Sequence, residues 1–298
     1  MKKSLLIGSN GYLGRHLANF LEAEGFENHN YDIHPEAVQG ITLYKPLDIT
    51  RRERFETLDS EVDFIFMFAG LTGTADGFDR FEEFISVNEI GLLNLLTWMR
   101  KTACKARIVF PSTRLVYKGR KNYALKEDDP KETKTIYAVN KMAAENILAM
   151  YRNAFDIEFT IFRICVPYGN LFDDAYSYGT LGFFVEKAKK GEDITLFGDG
   201  SIRRTFTHVE DISRLIMESV QIDGTRNGVF NIGGEDLSLL EAATLVAEKY
   251  GVAVKHVGWP EMALMLESDD TVFDGSRLNS LVSYENRFSV KKWLSAQG

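Results

Sequence analysis

The chain has 298 residues, of which 45% are hydrophobic and 26% charged, with 35 basic against 43 acidic side chains and a net charge of −8. That much apolar side chain builds a sizeable core and excludes a disordered chain, and the acidic balance leaves no basic surface for general nucleic-acid binding. No apolar run approaches a membrane span, and the two cysteines, Cys104 and Cys165, offer neither a disulfide framework nor Cys-His metal spacing.

Short apolar runs alternate with amphipathic stretches through the first half, the pattern of βαβ units and a parallel sheet. The reading places strands at Ser4–Ile7, Glu27–Asp32, Ile41–Tyr44, Val62–Phe68, Ala106–Pro111 and Glu158–Ile164. Helices fall at Tyr12–Glu24, stopped by Gly25, near Phe81–Lys101 and near Ile136–Asn153. Beyond Arg163 the pattern changes, and Tyr168–Gly182 reads as an irregular loop region. Further helices are expected near Leu181–Lys190, Val209–Val220, Ser238–Tyr250 and Ser289–Ala296, with a strand at Val229–Ile232. The expected organisation is a dinucleotide-binding domain over 1–165, joined by about 205–235, and a smaller lobe over 166–298 that interleaves with the sheet. The opening MKKSLLIGSNGYLG has too short an apolar run for a signal peptide, so a cytoplasmic enzyme is expected.

Gly8, Gly11 and Gly14 lie directly after the first strand and at the mouth of the first helix. Such a turn lets backbone approach a pyrophosphate, and the helix N-terminus offers N–H groups and partial positive charge to it. Asp32 ends the second strand, where an acid can hold both ribose hydroxyls of NAD and repel the 2′-phosphate of NADP. His34 is the only basic candidate nearby. Asp48 has two readings, an acceptor for the adenine amine or a helix cap.

Tyr137 and Lys141 form a YxxxK pair on one face of a helix. There an ammonium can lower the tyrosine pKa toward working pH, so that the phenol trades a proton. A second such pair, Tyr117 and Lys121, lies in the loop stretch YKGRK, with no helix to hold it together. Ser112 and Thr113 end the strand ARIVFP, where the strand ends of a parallel sheet face the ligand crevice.

Taken in order, these residues resemble the extended short-chain dehydrogenase/reductase family, in its NAD-dependent epimerase/dehydratase branch. GSNGYLG looks like that family's TGxxGxxG loop, FAG (Phe68–Gly70) its segment after the fourth strand, and Asn88 its structural asparagine. PSTRLVY is similar to SSxxVYG, and LFGDGSIRRTFTHVED to the stretch whose arginine binds a nucleotide-sugar phosphate, here Arg204. The resemblance implies a Rossmann-type doubly wound sheet and a homodimer. It implies NAD held by Gly8, Asn10, Gly11, Tyr12, Leu13, Gly14, Asp32, Asp48, Ile49, Phe68, Ala69, Gly70, Asn88 and Ser112, besides Tyr137 and Lys141. Catalysis would fall to Thr113, Tyr137 and Lys141, with a nucleotide sugar touched by Thr72, Arg114, Thr180 and Arg204. Tyr176 and Tyr178 are further rim contacts.

Three departures narrow the implied activity. Arg114 and Leu115 stand where dehydratases of the branch carry Asp-Glu, so dehydration and decarboxylation are not expected. Val166 replaces the asparagine of RxFNxxG, and the acidic stretch LESDDTVFD stands where another phosphate-binding arginine is common, with Arg277 just beyond. Arg114 either faces an anionic group of the sugar or makes a salt bridge. The expected function is a 4-epimerase working through a transient 4-keto sugar. A keto-sugar reductase or sugar dehydrogenase on the same residues is the alternative, and a non-catalytic dinucleotide sensor the third.

Overall fold

A computed structural model describes residues 1–38, 40–172 and 178–297 of the chain. The first half runs β1 (Lys3–Ile7), α1 (Tyr12–Ala23), β2 (Glu27–Asp32), β3 (Tyr44–Pro46), β4 (Phe64–Met67), α2 (Asp76–Asp79), α3 (Phe81–Ile85), α4 (Gly91–Thr102), β5 (Arg107–Thr113), β6 (Ala124–Leu125), α5 (Ile136–Phe155) and β7 (Phe159–Ile164). The second half adds β8 (Val166–Tyr168), α6 (Gly179–Lys189), β9 (Ile194–Phe197), β10 (Arg203–His208), α7 (Val209–Ser219), β11 (Gly228–Asn231) and β12 (Glu235–Ser238). It closes with α8 (Leu239–Tyr250), β13 (Val254–Val257), α9 (Glu261–Leu266), β14 (Val272–Phe273), α10 (Ser276–Asn279) and α11 (Val290–Ala296).

Seven strands form one sheet in the order β11-β7-β5-β4-β1-β2-β3, and every pairing in it is parallel. The reason is written in strands such as SLLI and FIFM, whose successive residues are all buried; a strand covered on both faces cannot alternate apolar with polar. Leu5, Ile65 and Ile108 pack under α4 and α5 with Leu95, Leu96 and Leu148. Their neighbours Leu6, Phe66 and Val109 pack on the other face with Leu17, Leu21, Ile212 and Ile216 of α1 and α7. The order reverses between β1 and β4, and the ends of β1, β4 and β5 open there onto a crevice.

A second apolar cluster of the later chain joins Val116, Leu125, Tyr168, Leu181, Phe184, Ala243 and Val246. It is served by a small sheet, β12-β10-β8, and by two strand pairs, β13-β9 and β14-β6. β14 returns to pair with β6, so the later residues are sewn back into the middle of the chain.

Most expected elements stand within a residue or two of their places. The third strand starts at Tyr44 instead of Ile41, because Leu43 adopts φ +45° and interrupts the extended backbone. The single helix expected over 81–101 is broken by a π-turn at Ser86–Ile90, which carries Asn88. The expected irregular stretch 168–182 is shortened from both sides by β8 and α6, while 173–177 lie outside the described residues.

His208 joins β10 to α7, and its Nδ1 accepts from the Glu210 N–H at 3.2 Å, so the ring caps the helix. It stacks on Phe288 at 3.9 Å and meets Tyr168 edge-on. Burial lowers its pKa from 6.5 to about 3, with His16 adding to the shift. The folded protein therefore holds His208 neutral while the unfolded chain protonates it, and stability is lost as pH falls below about 6.5. By pH 4.5 this amounts to about 3 kcal/mol. Thermal unfolding scanned from pH 7 to 4.5 should show a shallower loss of Tm in His208→Asn, which keeps a capping acceptor; equal slopes would exonerate His208.

Candidate active site

Two glycines set the turn after β1. Gly8 has φ +95°, and a Cβ there would sit 2.3 Å from the Ala69 nitrogen. A Cβ on Gly14 would sit 2.0 Å from the Gly8 carbonyl oxygen. Strand, loop and helix thus pack backbone to backbone, which no other residue type permits. Gly11 stands at the N-cap of α1 with no capping side chain, and no acid occupies the first turn. The partial positive charge of the helix end is therefore left for an anion. Gly11, Tyr12, Leu13 and Gly14 line one wall of a cavity of about 200 Å³.

The opposite requirements, a hydroxyl and a proton carrier, come from β5 and α5. Thr113 ends β5 and lines the same cavity with Ser112, Tyr137 and Lys141. The Thr135 hydroxyl accepts from the Ala138 N–H at 3.0 Å, fixing where α5 begins and hence where Tyr137 points. Lys141 Nζ donates to the Pro111 carbonyl at 2.8 Å. Asn88 clasps Leu71 through both its backbone groups, at 2.8 and 3.1 Å, and so shapes the loop of Gly70 and Thr72, which also line the cavity.

The electrostatics correct one expectation. Burial holds the Tyr137 phenol above its ordinary pKa, Tyr178 adds to this, and only a hydrogen bond with Thr113 pulls the other way. Lys141 Nζ, bonded to Pro111, lies 4.3 Å from the Phe110 ring and 5.8 Å from the Tyr137 ring, and burial still dominates the phenol. Burial pushes the ammonium itself down to about 8, against the pull of Glu145.

Behind this wall lies a buried polar network that the sequence reading passed over. Arg163 of β7 donates to Glu145 of α5 from both Nε, at 3.0 Å, and Nη2, at 2.5 Å. The Ser112 hydroxyl donates to the same carboxylate at 2.5 Å. Arg163 Nη1 reaches the Tyr117 hydroxyl at 2.7 Å and the Glu127 carbonyl at 2.8 Å, and Tyr117 donates on to Asn231. Tyr117, set aside as a loop residue, is wholly buried, and burial raises its phenol to about 12. The signals were present: an arginine inside the apolar strand FTIFRI, and Glu145 four residues beyond Lys141 on the inward face of α5.

The model of the NAD dependent epimerase/dehydratase family matches residues 4–233. The chain belongs to this family. It is 25% identical to the CDP-paratose 2-epimerase of Salmonella typhi, over 97% of this chain and 96% of that one. It is 28% identical to the UDP-N-acetyl-alpha-D-glucosaminuronate decarboxylase of Bacillus cytotoxicus, over 79% and 76%. The NAD complex of UDP-glucose 4-epimerase from Thermus thermophilus has the same fold, with a TM-score of 0.85, 22% identity and 98% of each chain covered.

NAD is the cofactor of this family, and the residues here fit it: the uncapped helix end is at the cavity wall, and a Cβ on Gly11 would meet nothing nearer than the Gly8 oxygen at 3.3 Å. Asp32 stands at the end of β2, and its carboxylate accepts from the Asn10 N–H at 3.1 Å and from His34. Asn10 spans to the Glu36 carbonyl and the Tyr44 hydroxyl. Asp48 makes a turn with Thr50, accepting from its N–H and hydroxyl, and does not cap a helix. Ile49 packs against Gly91, and Ala69 donates to the Ile7 carbonyl. Phe68 is part of the cavity wall, as are Cys165 and Tyr178, the latter stacked on Tyr12 at 4.5 Å. Thr180 sits in the first turn of α6, away from that wall, and Tyr176 lies outside the described residues.

The expected phosphate anchor is otherwise engaged. Arg204 is 2% exposed, and its guanidinium donates to the Glu267 carboxylate and to the carbonyls of Arg203, Asp269 and Ser268. Those bonds clamp β10 to the 267–270 segment, and Arg204 stands apart from the cavity lining. Arg114 Nη1 lies 3.8 Å from the same Glu267, an ion pair in which that buried nitrogen makes no hydrogen bond. Val166 is buried in β8 opposite Phe206, and Arg277 lies over the Phe230 ring.

A buried ammonium that prefers to be neutral costs stability, and this gives a test. Lys141→Met should raise stability at pH 7, by at most about 3 kcal/mol, while removing turnover. Because the folded lysine sheds its proton near pH 8 and the unfolded one near 10.5, the gain should shrink across that window. A lower Tm at pH 7 would show that the Pro111 contact outweighs desolvation.

Proposed function

We propose that the protein is an NAD-dependent nucleotide-sugar 4-epimerase. What supports this is the convergence of Thr113, Tyr137 and Lys141 on the cavity that also holds the glycine turn. NAD, when bound, takes up and gives back the hydride of a sugar carbinol carbon. In its phenolate form Tyr137 accepts the proton of the C4 hydroxyl as that carbon becomes a carbonyl, and the resulting phenol returns it when the carbonyl is reduced from its other face. Thr113, at hydrogen-bond reach of the phenol, orients the reacting oxygen. Lys141 holds the nicotinamide ribose and supplies positive charge beside the developing phenolate.

Arg114 and Leu115 occupy the places of the acid pair that drives water elimination in related enzymes, and this favours epimerisation over dehydration. The cofactor contacts of the proposal are Gly8, Asn10, Gly11, Tyr12, Leu13, Gly14, Asp32, Asp48, Ile49, Phe68, Ala69, Gly70, Asn88 and Ser112. Thr72 and Tyr178 face the sugar, with the lobe over 166–298 receiving the nucleotide. The proposal includes a cytoplasmic homodimer. Exposed apolar residues along α5, Val139, Met150 and Phe155, support a partner helix there, and no helix among the described residues is long and apolar enough to cross a membrane.

Protein purified without added cofactor and then denatured should release stoichiometric NAD or NADH, seen by mass spectrometry. Incubated with UDP- or dTDP-hexoses, it should interconvert the C4 epimers with no added dinucleotide. Tyr137→Phe should lower that rate by at least about a hundredfold and keep its bound dinucleotide. An empty protein needing fresh NAD(P)H would move the reading to a keto-sugar reductase.

A further inference from the structure

We propose that Glu145 is a positioning residue for the acid–base pair. It ties down the end of β5 that carries Thr113 and supplies the counter-charge to Lys141 from one helical turn away, while Arg163 holds its carboxylate in place. The inference rests on the catalytic reading of Tyr137 and Lys141.

The geometry is specific. Strand register sets Ser112 of β5 beside Arg163 of β7, and Thr113 beside Ile164. Glu145 bridges this pair of neighbours, taking the Ser112 hydroxyl on one oxygen and the Arg163 guanidinium on both. Ser112 and Thr113 are adjacent, so the carboxylate fixes the strand end one residue from the catalytic hydroxyl. On α5, Tyr137, Lys141 and Glu145 follow at four-residue spacing and lie on one face.

The surroundings of Lys141 leave this role to Glu145. β5 presents the Pro111 carbonyl, the Phe110 ring and the Ser112 and Thr113 hydroxyls, none of them charged. The loop after β4 presents Gly70, whose Cβ position is 3.9 Å from Nζ. The π-turn before α4 carries Glu89, which is taken up by Asn140 Nδ2 at 2.5 Å, and Asn88, which is bound to Leu71. Arg163 from β7 is engaged by Glu145 itself, and burial keeps the Tyr137 phenol protonated. Glu145 is the group that favours the charged form of Lys141 against burial. Glu145 and Arg163 are 6% and 4% exposed, and a buried ion pair is a poor device for stability compared with apolar side chains of the same size. Its place behind the catalytic wall accounts for it.

The test reads Lys141 directly, by NMR titration of 13Cε-labelled lysine in the purified holoprotein, beside the pH profile of kcat. In Glu145→Gln the Lys141 midpoint should fall by about one unit. The alkaline limb of kcat should move acidward with it, and Glu145→Asp should recover both in part. If Glu145→Gln leaves Arg163 unpaired and fails to fold, the double variant Glu145→Gln/Arg163→Met, which leaves no unpaired guanidinium, carries the same test. An unchanged midpoint and limb in a folded variant would overturn the proposal and leave the pair a packing element. An active Tyr137→Phe would instead sink the acid–base reading, and the lysine titration, which needs no turnover, keeps the two failures apart.

Discussion

The bidentate pair between Arg163 and Glu145 is the constraint on which the site depends. It joins β7 to α5, draws in β5 through Ser112, and reaches the later chain through Tyr117 and Asn231. Two buried charges in a low-dielectric interior are tolerable only when every lone pair and proton is met, so each partner's position dictates the others. Asn231, at the end of β11, also donates its N–H to the Glu127 carboxylate and its side-chain amide to the Leu125 carbonyl. The edge of the sheet and the β6 region are thereby locked to α5, the helix that carries Tyr137 and Lys141. Rigidity of this kind is what a catalytic geometry needs, since small misplacements are expensive in rate.

The cofactor end of the crevice depends on an absence of side chain. Gly8 and Gly14 allow the loop and α1 to press against each other and against Phe68 and Ala69 just beyond β4, and their contacts are with backbone that cannot step aside. The resulting helix end is left without a cap. α5 and α8 are instead capped by their own residues, Thr135 for α5 and Ser238 with Glu241 for α8.

In the later chain the chemistry is held more tightly than the sequence suggested. Arg204 and Arg114 share Glu267, and burial with mutual repulsion lowers Arg204 to about 10. A guanidinium with four acceptors around it serves the architecture first. The 267–270 segment is thereby held against β10, next to Thr271, whose carbonyl accepts from the Cys165 thiol at 3.1 Å.

Much of this protein could be read along the chain. The βαβ order, the glycine turn, the acid ending β2 and the Tyr137–Lys141 spacing are local patterns, because strand burial, helix periodicity and turn sterics act over a few residues. The break at Ser86–Ile90 escaped, since a π-turn keeps the apolar period of the helices around it. So did β6, β8, β9, β10, β12, β13 and β14, most of them too short for a periodic signal and formed by pairing with distant partners. Tyr117 looked like a loop residue because its burial comes from β5, β7 and β11 together. Arg204 looked like a ligand for phosphate because Glu267 is 63 residues away. The sequence by itself determined the sheet, the turn and which helix face carries the reactive pair. Only the tertiary structure decided which charges are satisfied internally and which remain to act, because desolvation and pairing depend on neighbours that the chain brings together from far apart.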